Sequence, residues 1–270
     1  MTLPRISIVT ISFNQARFLP LAIESVLGQE YPNLQYIVVD PGSPDASRDI
    51  IESYGGQVSV KVFEKDSGPA DGLNKGFARA DGEILGFLNA DDVLLPNALN
   101  TVAQFFLAHP DVDVVSGHCR IIDASGNLLR ESYSDSFHPR KVIYRAASVM
   151  QPSTFFRRGA YEKTGGFNIA NRLDWDTELF VDMHATGARF AGIDAMLSGC
   201  RLHASTVTAQ RRNGVLVNKD FRRLLEDKYG RKWAWFDHPI RWSFLLLKYL
   251  RNPRSVRERL LRGPVAGRTE

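Results

Sequence analysis

The stretch Gly86-Phe87-Leu88-Asn89-Ala90-Asp91-Asp92 constrains this chain more than any other. A short apolar run, Ile84 to Leu88, ends in two adjacent acids. Such a run reads as a buried strand of a parallel sheet. Carboxylates at the tip of a buried strand are costly unless water, a cation or hydrogen bonds compensate them. Ligands of open α/β sheets bind beyond the carboxyl ends of strands, where this pair falls. The pair therefore reads as a divalent-cation site that holds a phosphate-bearing substrate. The alternative is local: two acids before a turn can serve nearby backbone groups alone.

The first ~115 residues alternate apolar strands with amphipathic helices, a βαβ rhythm. Strands are expected over Ile6–Ile11, Tyr36–Asp40, Val58–Phe63 and Ile84–Leu88. Asn14 is the expected N-cap of the first helix, whose apolar face uses Phe18, Ala22, Ile23, Val26 and Leu27. Further helices are expected over Ser47–Tyr54, Ala70–Ala80, Pro96–Ala108 and Asp174–Thr186. After residue 111 the rhythm changes. Val112–Ser116 and Arg120–Asp123 read as short strands and Ala124–Asn127 as the turn after them, an antiparallel addition to the sheet.

Charge divides the chain. Residues 211–270 hold 16 Lys and Arg against 6 Asp and Glu, while the first 210 hold 18 against 24. The basic end, mostly helical from Leu216, carries Trp233, Trp235, Phe236 and Trp242, and then a run of arginines. Basic helices with aromatics suit an anionic membrane surface. A helix packed on the core with a solvated basic face is the alternative. No nucleic-acid motif accompanies the charge. Cys119 and Cys200 suggest no disulfide framework, which points to a reducing compartment. No signal peptide is apparent and no run reaches the ~20 apolar residues that span a bilayer. The expected location is cytoplasmic, peripheral on the inner face of the membrane.

Four segments, in order, carry a resemblance: SIVTISFNQARFLPLAIESVLGQEYPNLQYIVVDPGSPDASRDIIESY, EKDSGPADGLNKGFARADGEILGFLNADD, QPSTFFRRGAYEKTGGFN and RLDWDTEL. Together they resemble a family 2 glycosyltransferase. The resemblance implies a GT-A fold, a Rossmann-like α/β architecture with a mostly parallel sheet flanked by helices. It implies an inverting reaction that uses a nucleotide-diphosphate sugar and Mg²⁺ or Mn²⁺. The expected organisation is a catalytic domain over 1–210, with a nucleotide-sugar half to about 115 and an acceptor half after it. A basic helical extension over 211–270 follows, with a soft boundary near Arg211.

By this resemblance Asp92 ligates the metal and Asp91 contacts sugar or ribose. Asp40 lies near the nucleotide base, although Pro41 stands where many relatives carry a second acid. Thr10, Ser12 and Phe13 line the same pocket, or else only pack and cap. Asp71 bonds base or ribose and Lys75 approaches phosphate. The alternative for these two is a solvated helix start. Asp174 matches the general base that takes the acceptor proton; Leu173 stands where relatives often have Glu. Asp174 could instead only cap its helix. Arg201, His203 and Ser205 resemble a segment that folds over the diphosphate, with His203 completing the cation shell and Arg201 pairing with phosphate.

The implied function is transfer of a sugar to a saccharide or lipid-linked hydroxyl, in cell-surface polysaccharide or glycolipid synthesis. UDP is the first expectation for the donor, with GDP or dTDP as alternatives. A polyprenyl-phosphate acceptor and a non-catalytic saccharide-binding scaffold are the other readings. A sugar nucleotidyltransferase is disfavoured by Ser12-Phe13-Asn14-Gln15 after the first strand. A dehydrogenase is disfavoured by the lack of a Gly-x-Gly-x-x-Gly there.

Overall fold

The computed structural model describes residues 2–204, 206 and 215–263. Its strands are β1 (Ile6–Ile11), β2 (Leu34–Val39), β3 (Val60–Val62), β4 (Ile84–Asn89), β5 (Val93–Leu94), β6 (Val114–Ile122), β7 (Leu128–Ser132), β8 (Thr154–Arg157) and β9 (Phe190–Arg201). The helices are α1 (Leu19–Leu27), α2 (Ser47–Ser53), α3 (Pro69–Phe77), α4 (Ala98–Ala108), α5 (Pro139–Ile143), α6 (Arg158–Glu162), α7 (Trp175–Ala185), α8 (Val215–Tyr229), α9 (Asp237–Arg251) and α10 (Pro253–Arg262).

The strands form one sheet in the order β3-β2-β1-β4-β8-β6-β9-β5, with β7 beside β6. The block β3-β2-β1-β4 is parallel throughout, as the βαβ rhythm requires. Both of its faces are covered. Ile6, Ile8, Tyr36 and Val38 pack with Leu19, Ile23, Ile51 and Leu99 on one side. Val9, Ile37, Val39 and Leu85 pack with Leu73, Phe77, Leu179 and Met183 on the other. Alternate residues of a strand point to opposite faces, so two-sided cover demands unbroken apolar runs. α3 lies close on the sheet because Gly76 has no Cβ: one built there would collide with Val9 and lie 3.1 Å from Val39.

Register decides the site. Ile11 is level with Val39 on one side and with Asn89 on the other. Ser12, Asp40 and the Ala90-Asp91-Asp92 turn therefore leave the sheet along one edge. β8 is antiparallel to both β4 and β6, so β6 runs with β4. β9 runs parallel to β6, with Ile122 opposite Arg201. Arg201 and His203 thus reach the same edge from the far half of the sheet.

Several expected boundaries are corrected. Asn14 does not cap α1, which starts at Leu19 with Pro20 in its first turn. Asn14 adopts a left-handed backbone, φ 55°, and its N–H donates to Ser43 Oγ at 2.9 Å. Gln15 and Ala16 donate to Ser47 Oγ and Asp45 Oδ2. The loop after β2 thus holds the loop after β1. β3 covers Val60–Val62, less than the expected Val58–Phe63. The two short strands expected around residues 112–123 are one strand, β6, with irregular register near Gly117. A Cβ at Gly117 would lie 2.5 Å from Leu197 Cδ1. This glycine interrupts the pattern in sequence but not the strand in space. β9, which periodicity did not reveal, contains Gly192, Asp194 and Gly199 and is only half-buried over its first seven residues.

In α8, Leu224 and Leu225 pack with Ile143 of α5 and Val181 of α7. The boundary near Arg211 lies outside the described residues, as does Ser205.

Candidate active site

The acid pair is built from the end of β4 outward. Ala90 N donates to Ile11 O at 3.1 Å, continuing the ladder, and Asp92 N turns back to Asn89 O at 3.1 Å. Asp92 is buried. Its Oδ1 accepts from Arg201 N at 2.9 Å and its Oδ2 from Asn89 Nδ2 at 3.2 Å. Burial, and then the Asp91 charge, push the Asp92 carboxyl up to about 8. Two adjacent carboxylates out of bulk water resist ionising together, and a nearby cation reverses that tendency. Asp91 is less enclosed, and its Oδ2 lies 3.1 Å from His203 Nε2. The His203 ring packs on Phe18, centroids 4.6 Å apart. The structure thus brings Asp91, Asp92 and His203 together, two carboxylates and an imidazole from opposite halves of the sheet.

These donors fit Mg²⁺ or Mn²⁺. Such ions prefer oxygen, take one or two protein carboxylates, and fill the remaining positions with phosphate and water. Among the described residues no three His, Cys, Asp or Glu side chains, these included, converge closely enough to hold a metal ion by themselves. The arrangement suits a cation shared with a phosphate-bearing substrate.

Arg201 occupies the same corner as a brace. Its Nε donates to Asp91 O at 2.9 Å and its Nη1 to Asp123 O at 3.1 Å and Ala124 O at 3.3 Å. Its guanidinium lies over the Phe18 ring. These donors serve main-chain carbonyls of the acid turn and the β6–β7 turn rather than an open phosphate position.

On the β1–β2 side, Asp40 is buried and organises its own loop. Oδ1 accepts from Gly42 N and Ser43 N at 2.9 and 2.7 Å, and Oδ2 from Ser43 Oγ at 2.6 Å. Thr10 sits under the sheet rather than at its open edge, where its hydroxyl accepts from buried Tyr36 at 3.0 Å. Ser12 is at the edge, and its buried hydroxyl has no hydrogen-bond partner among the described residues. Phe13 beside it is 61% exposed, an aromatic face open at the rim of the site.

Asp71 and Lys75 belong to the start of α3. Asp71 Oδ2 accepts from Ser67 N, Ser67 Oγ and Lys75 Nζ at 2.9, 3.1 and 3.2 Å. The Ser67 backbone bond leads in holding its carboxyl below the usual range. Lys75 Nζ also donates to Lys65 O. Both side chains thus fasten the loop before α3. Asp66, which the sequence reading did not single out, accepts from Gly68 N at 2.9 Å, and burial raises its carboxyl. Its signal was its place just after β3, level with the other strand ends.

Asp174 precedes α7, yet its side chain makes no cap bond to the helix, so the capping role weighed in the sequence is not what it performs. Its backbone is held by Asn171, whose Oδ1 accepts from Leu173 N and Asp174 N, both at 3.1 Å. Asn171 Nδ2 donates in turn to buried Glu178 at 2.6 Å. Glu178 also accepts from Asn168 at 3.0 Å and from Arg223 of α8 at 2.8 Å. Burial would raise the Glu178 carboxyl, but Arg223, Asn168 and Asn171 together hold it low.

Three side chains tie the Asp174 loop and the neighbouring Gln151 turn to the strand-end edge. The Trp175 ring packs on Phe87 of β4, centroids 5.6 Å apart. Arg172 lies over Gly68, where φ is 131° and a Cβ would collide with its guanidinium. Gln151 donates to Phe87 O at 2.9 Å and accepts from Asn89 at 3.3 Å. Asn89, Asn171 and Glu178 were missed as positioning residues. Asn89 stood in plain view beside the acids, and Asn171 three residues before Asp174 has the spacing of a side chain that bonds its own loop.

The model of the family described as "Glycosyl transferase family 2" matches residues 7–165. An uncharacterized glycosyltransferase of Nostoc sp. is 37% identical over 131 residues, 47% of this chain and 40% of the relative. The chain thus spans about two fifths of that relative's length. In solved structures, S. aureus TarS in complex with UDP-GlcNAc superposes with a TM-score of 0.66 at 16% identity, covering 92% of this chain and 73% of that one. The mannosyltransferase PcManGT from Pyrobaculum calidifontis, in complex with GDP-Man and Mn²⁺, superposes with a TM-score of 0.63 at 18% identity, covering 97% and 74%. At these identities the two structures attest to the fold, the expected GT-A architecture. Covering more than half of the chain, from β1 through β8 and including the Asp91-Asp92 turn, the family match makes this chain a member of glycosyl transferase family 2.

Proposed function

We propose that this protein transfers a sugar, with inversion, from a nucleotide-diphosphate sugar to the hydroxyl of a saccharide or lipid-linked acceptor. The carrying observation is the meeting of Asp91, Asp92 and His203 at the strand-end edge, with Asp174 held on a loop anchored to the same strand. UDP is the favoured nucleotide, and the UDP-GlcNAc and GDP-Man complexes of the structural neighbours support a donor of this class.

Ser12, Phe13 and the Asp40 loop line the nucleoside side, and the loop fastened by Asp71 and Lys75 flanks it. Asp91, Asp92 and His203 would hold Mg²⁺ or Mn²⁺. When bound, the ion supplies positive charge against the leaving diphosphate. Asp174 takes the proton of the acceptor hydroxyl as its oxygen bonds to the anomeric carbon. The bond from that carbon to the diphosphate oxygen breaks, and its electron pair leaves with the nucleotide. One displacement inverts the anomeric centre and needs no covalent intermediate. The reaction is placed on the cytoplasmic side, at the inner membrane surface, within polysaccharide or glycolipid synthesis.

A thermal-shift panel of UDP, GDP, CDP and dTDP, each with and without Mn²⁺, tests the donor site. Binding to the native state raises apparent stability. The expected result is Mn²⁺-dependent stabilisation by one nucleotide that disappears in Asp92→Ala. No stabilisation by any nucleotide at saturation would overturn the assignment and favour the scaffold reading.

A further inference from the structure

We infer that helices α9 and α10 form a docking surface for an anionic lipid membrane. One side of α9 is fastened to the body of the protein. Lys248 Nζ donates to Ser148 Oγ at 2.7 Å and pairs with Asp135 at 3.3 Å. Phe244 packs on Tyr144, and Asn252 donates to Asp135 at 3.1 Å. At the start of the helix, buried Asp237 is held by Arg231 at 2.6 Å and by the Tyr144 hydroxyl.

The opposite side is bare. Trp242, Leu246 and Leu250 recur at helical spacing along one stripe, and they are 68%, 62% and 70% exposed. Trp235, in the turn before α9, is 82% exposed. In α10, Leu260 and Leu261 are also exposed. α10 folds back beside α9, with Arg259 Nη1 donating to the Tyr249 hydroxyl at 2.7 Å. Nine of the fourteen exposed large apolar side chains among the described residues lie between Trp235 and Leu261, and such a concentration in water calls for a partner.

Charge selects the partner. Between residues 237 and 262 there are seven Lys and Arg against two Asp and Glu. Arg241, Arg251 and Arg257 form no ion pair or side-chain hydrogen bond among the described residues. Among the described residues no helix is long and apolar enough to cross a membrane. In α9 Arg241 and Arg251 fall about 140° round the helix from the stripe, so the free cation beside an apolar face comes from α10, where Arg257 shares a helix face with Leu260 and Leu261. Such a surface lies in the plane of an interface, its apolar side chains in the acyl boundary and its cations at anionic headgroups. A second copy of the chain suits the face less well. Two such surfaces would bring like charges together, and interface cores are depleted in charge.

Sedimentation of the full chain with vesicles tests this independently of the proposed transfer. Phosphatidylcholine vesicles are compared with the same vesicles containing phosphatidylglycerol. The protein is expected to partition onto the anionic vesicles, with a blue shift of tryptophan emission, and to release as salt rises. Trp242→Asp with Leu246→Asp should abolish partitioning. Replacing Arg257 by Gln should weaken it roughly fivefold, the contribution of one cation near an anionic surface. Circular dichroism melts of both variants should match the parent. Absence of binding to anionic vesicles, or unchanged binding by both variants, overturns the inference. A dimer that Trp242→Asp dissolves, without vesicle binding, overturns it in favour of a second copy.

Discussion

The donor edge and the acceptor loop meet at one site but are built by different means. Ser12, Asp40 and Asp91 leave adjacent parallel strands, and the backbone register of β1 with β2 and β4 sets their places. The acceptor side is held by side-chain amides. Asn74 donates to Phe167 O at 2.9 Å and accepts from Phe167 N and Tyr161 Oη at 2.8 and 3.0 Å. Asn171 holds the turn into Asp174, and Gln151 ties its own turn to β4. Backbone ladders share their load over many bonds. A turn hung on one amide loses its shape with that residue. The donor edge should therefore withstand single substitutions that the acceptor side does not.

The largest expected effect is Asp174→Asn. It should lower the transfer rate by about a hundredfold to ten-thousandfold, while the nucleotide thermal shift stays unchanged. Single-turnover transfer read beside that shift checks both halves. A variant that transfers at the parent rate would show that the acceptor is already ionised, as a polyprenyl phosphate is.

Next comes Glu178→Ala, which leaves Arg223 without its buried partner and frees Asn171. It should destabilise by about 3 kcal/mol and lower turnover more than nucleotide affinity. Equal losses in both would mean that the two regions are not mechanically separate. The same pair predicts a pH dependence. The Glu178 carboxyl is held below its ordinary range in the folded state, so it stabilises above the unfolded pKa. That stabilisation is lost as pH falls through the folded value. The melting-temperature gap between parent and Glu178→Gln should be full at neutral pH and close in acid.

Asn74→Ala should cost about 2 kcal/mol, since two hydrogen bonds to Phe167 and one from the Tyr161 hydroxyl go together. Chemical denaturation with acceptor KM as a second readout would detect it. The smallest effect is expected from Asp71→Ala, less than about 1 kcal/mol for a partly exposed pair with Lys75. A large loss of nucleotide affinity in that variant would instead show direct contact with the nucleoside.

Much of the donor half was legible in the sequence, because both faces of its strands are buried and local composition then reports the fold. Ile6–Ile11 and Ile84–Asn89 stand out as apolar runs, and the acids after them mark the edge. β9 was not legible. It is half-exposed, glycine-interrupted and paired with β6, a strand distant in sequence, so no local signal encodes it. Arg201 shows the same limit. The resemblance implied a phosphate partner for it, while folding places its donors against the carbonyls of Asp91, Asp123 and Ala124.

From sequence alone came the α/β plan, the place of the acid pair at a strand end and the basic end, since patterning, turn chemistry and charge are properties of neighbours along the chain. Tertiary structure alone decided that His203 faces Asp91, that Asn171 and Glu178 hold the Asp174 loop, and which side of α9 is bare. Those facts depend on strand order and helix rotation, which bring together residues that chain distance keeps apart.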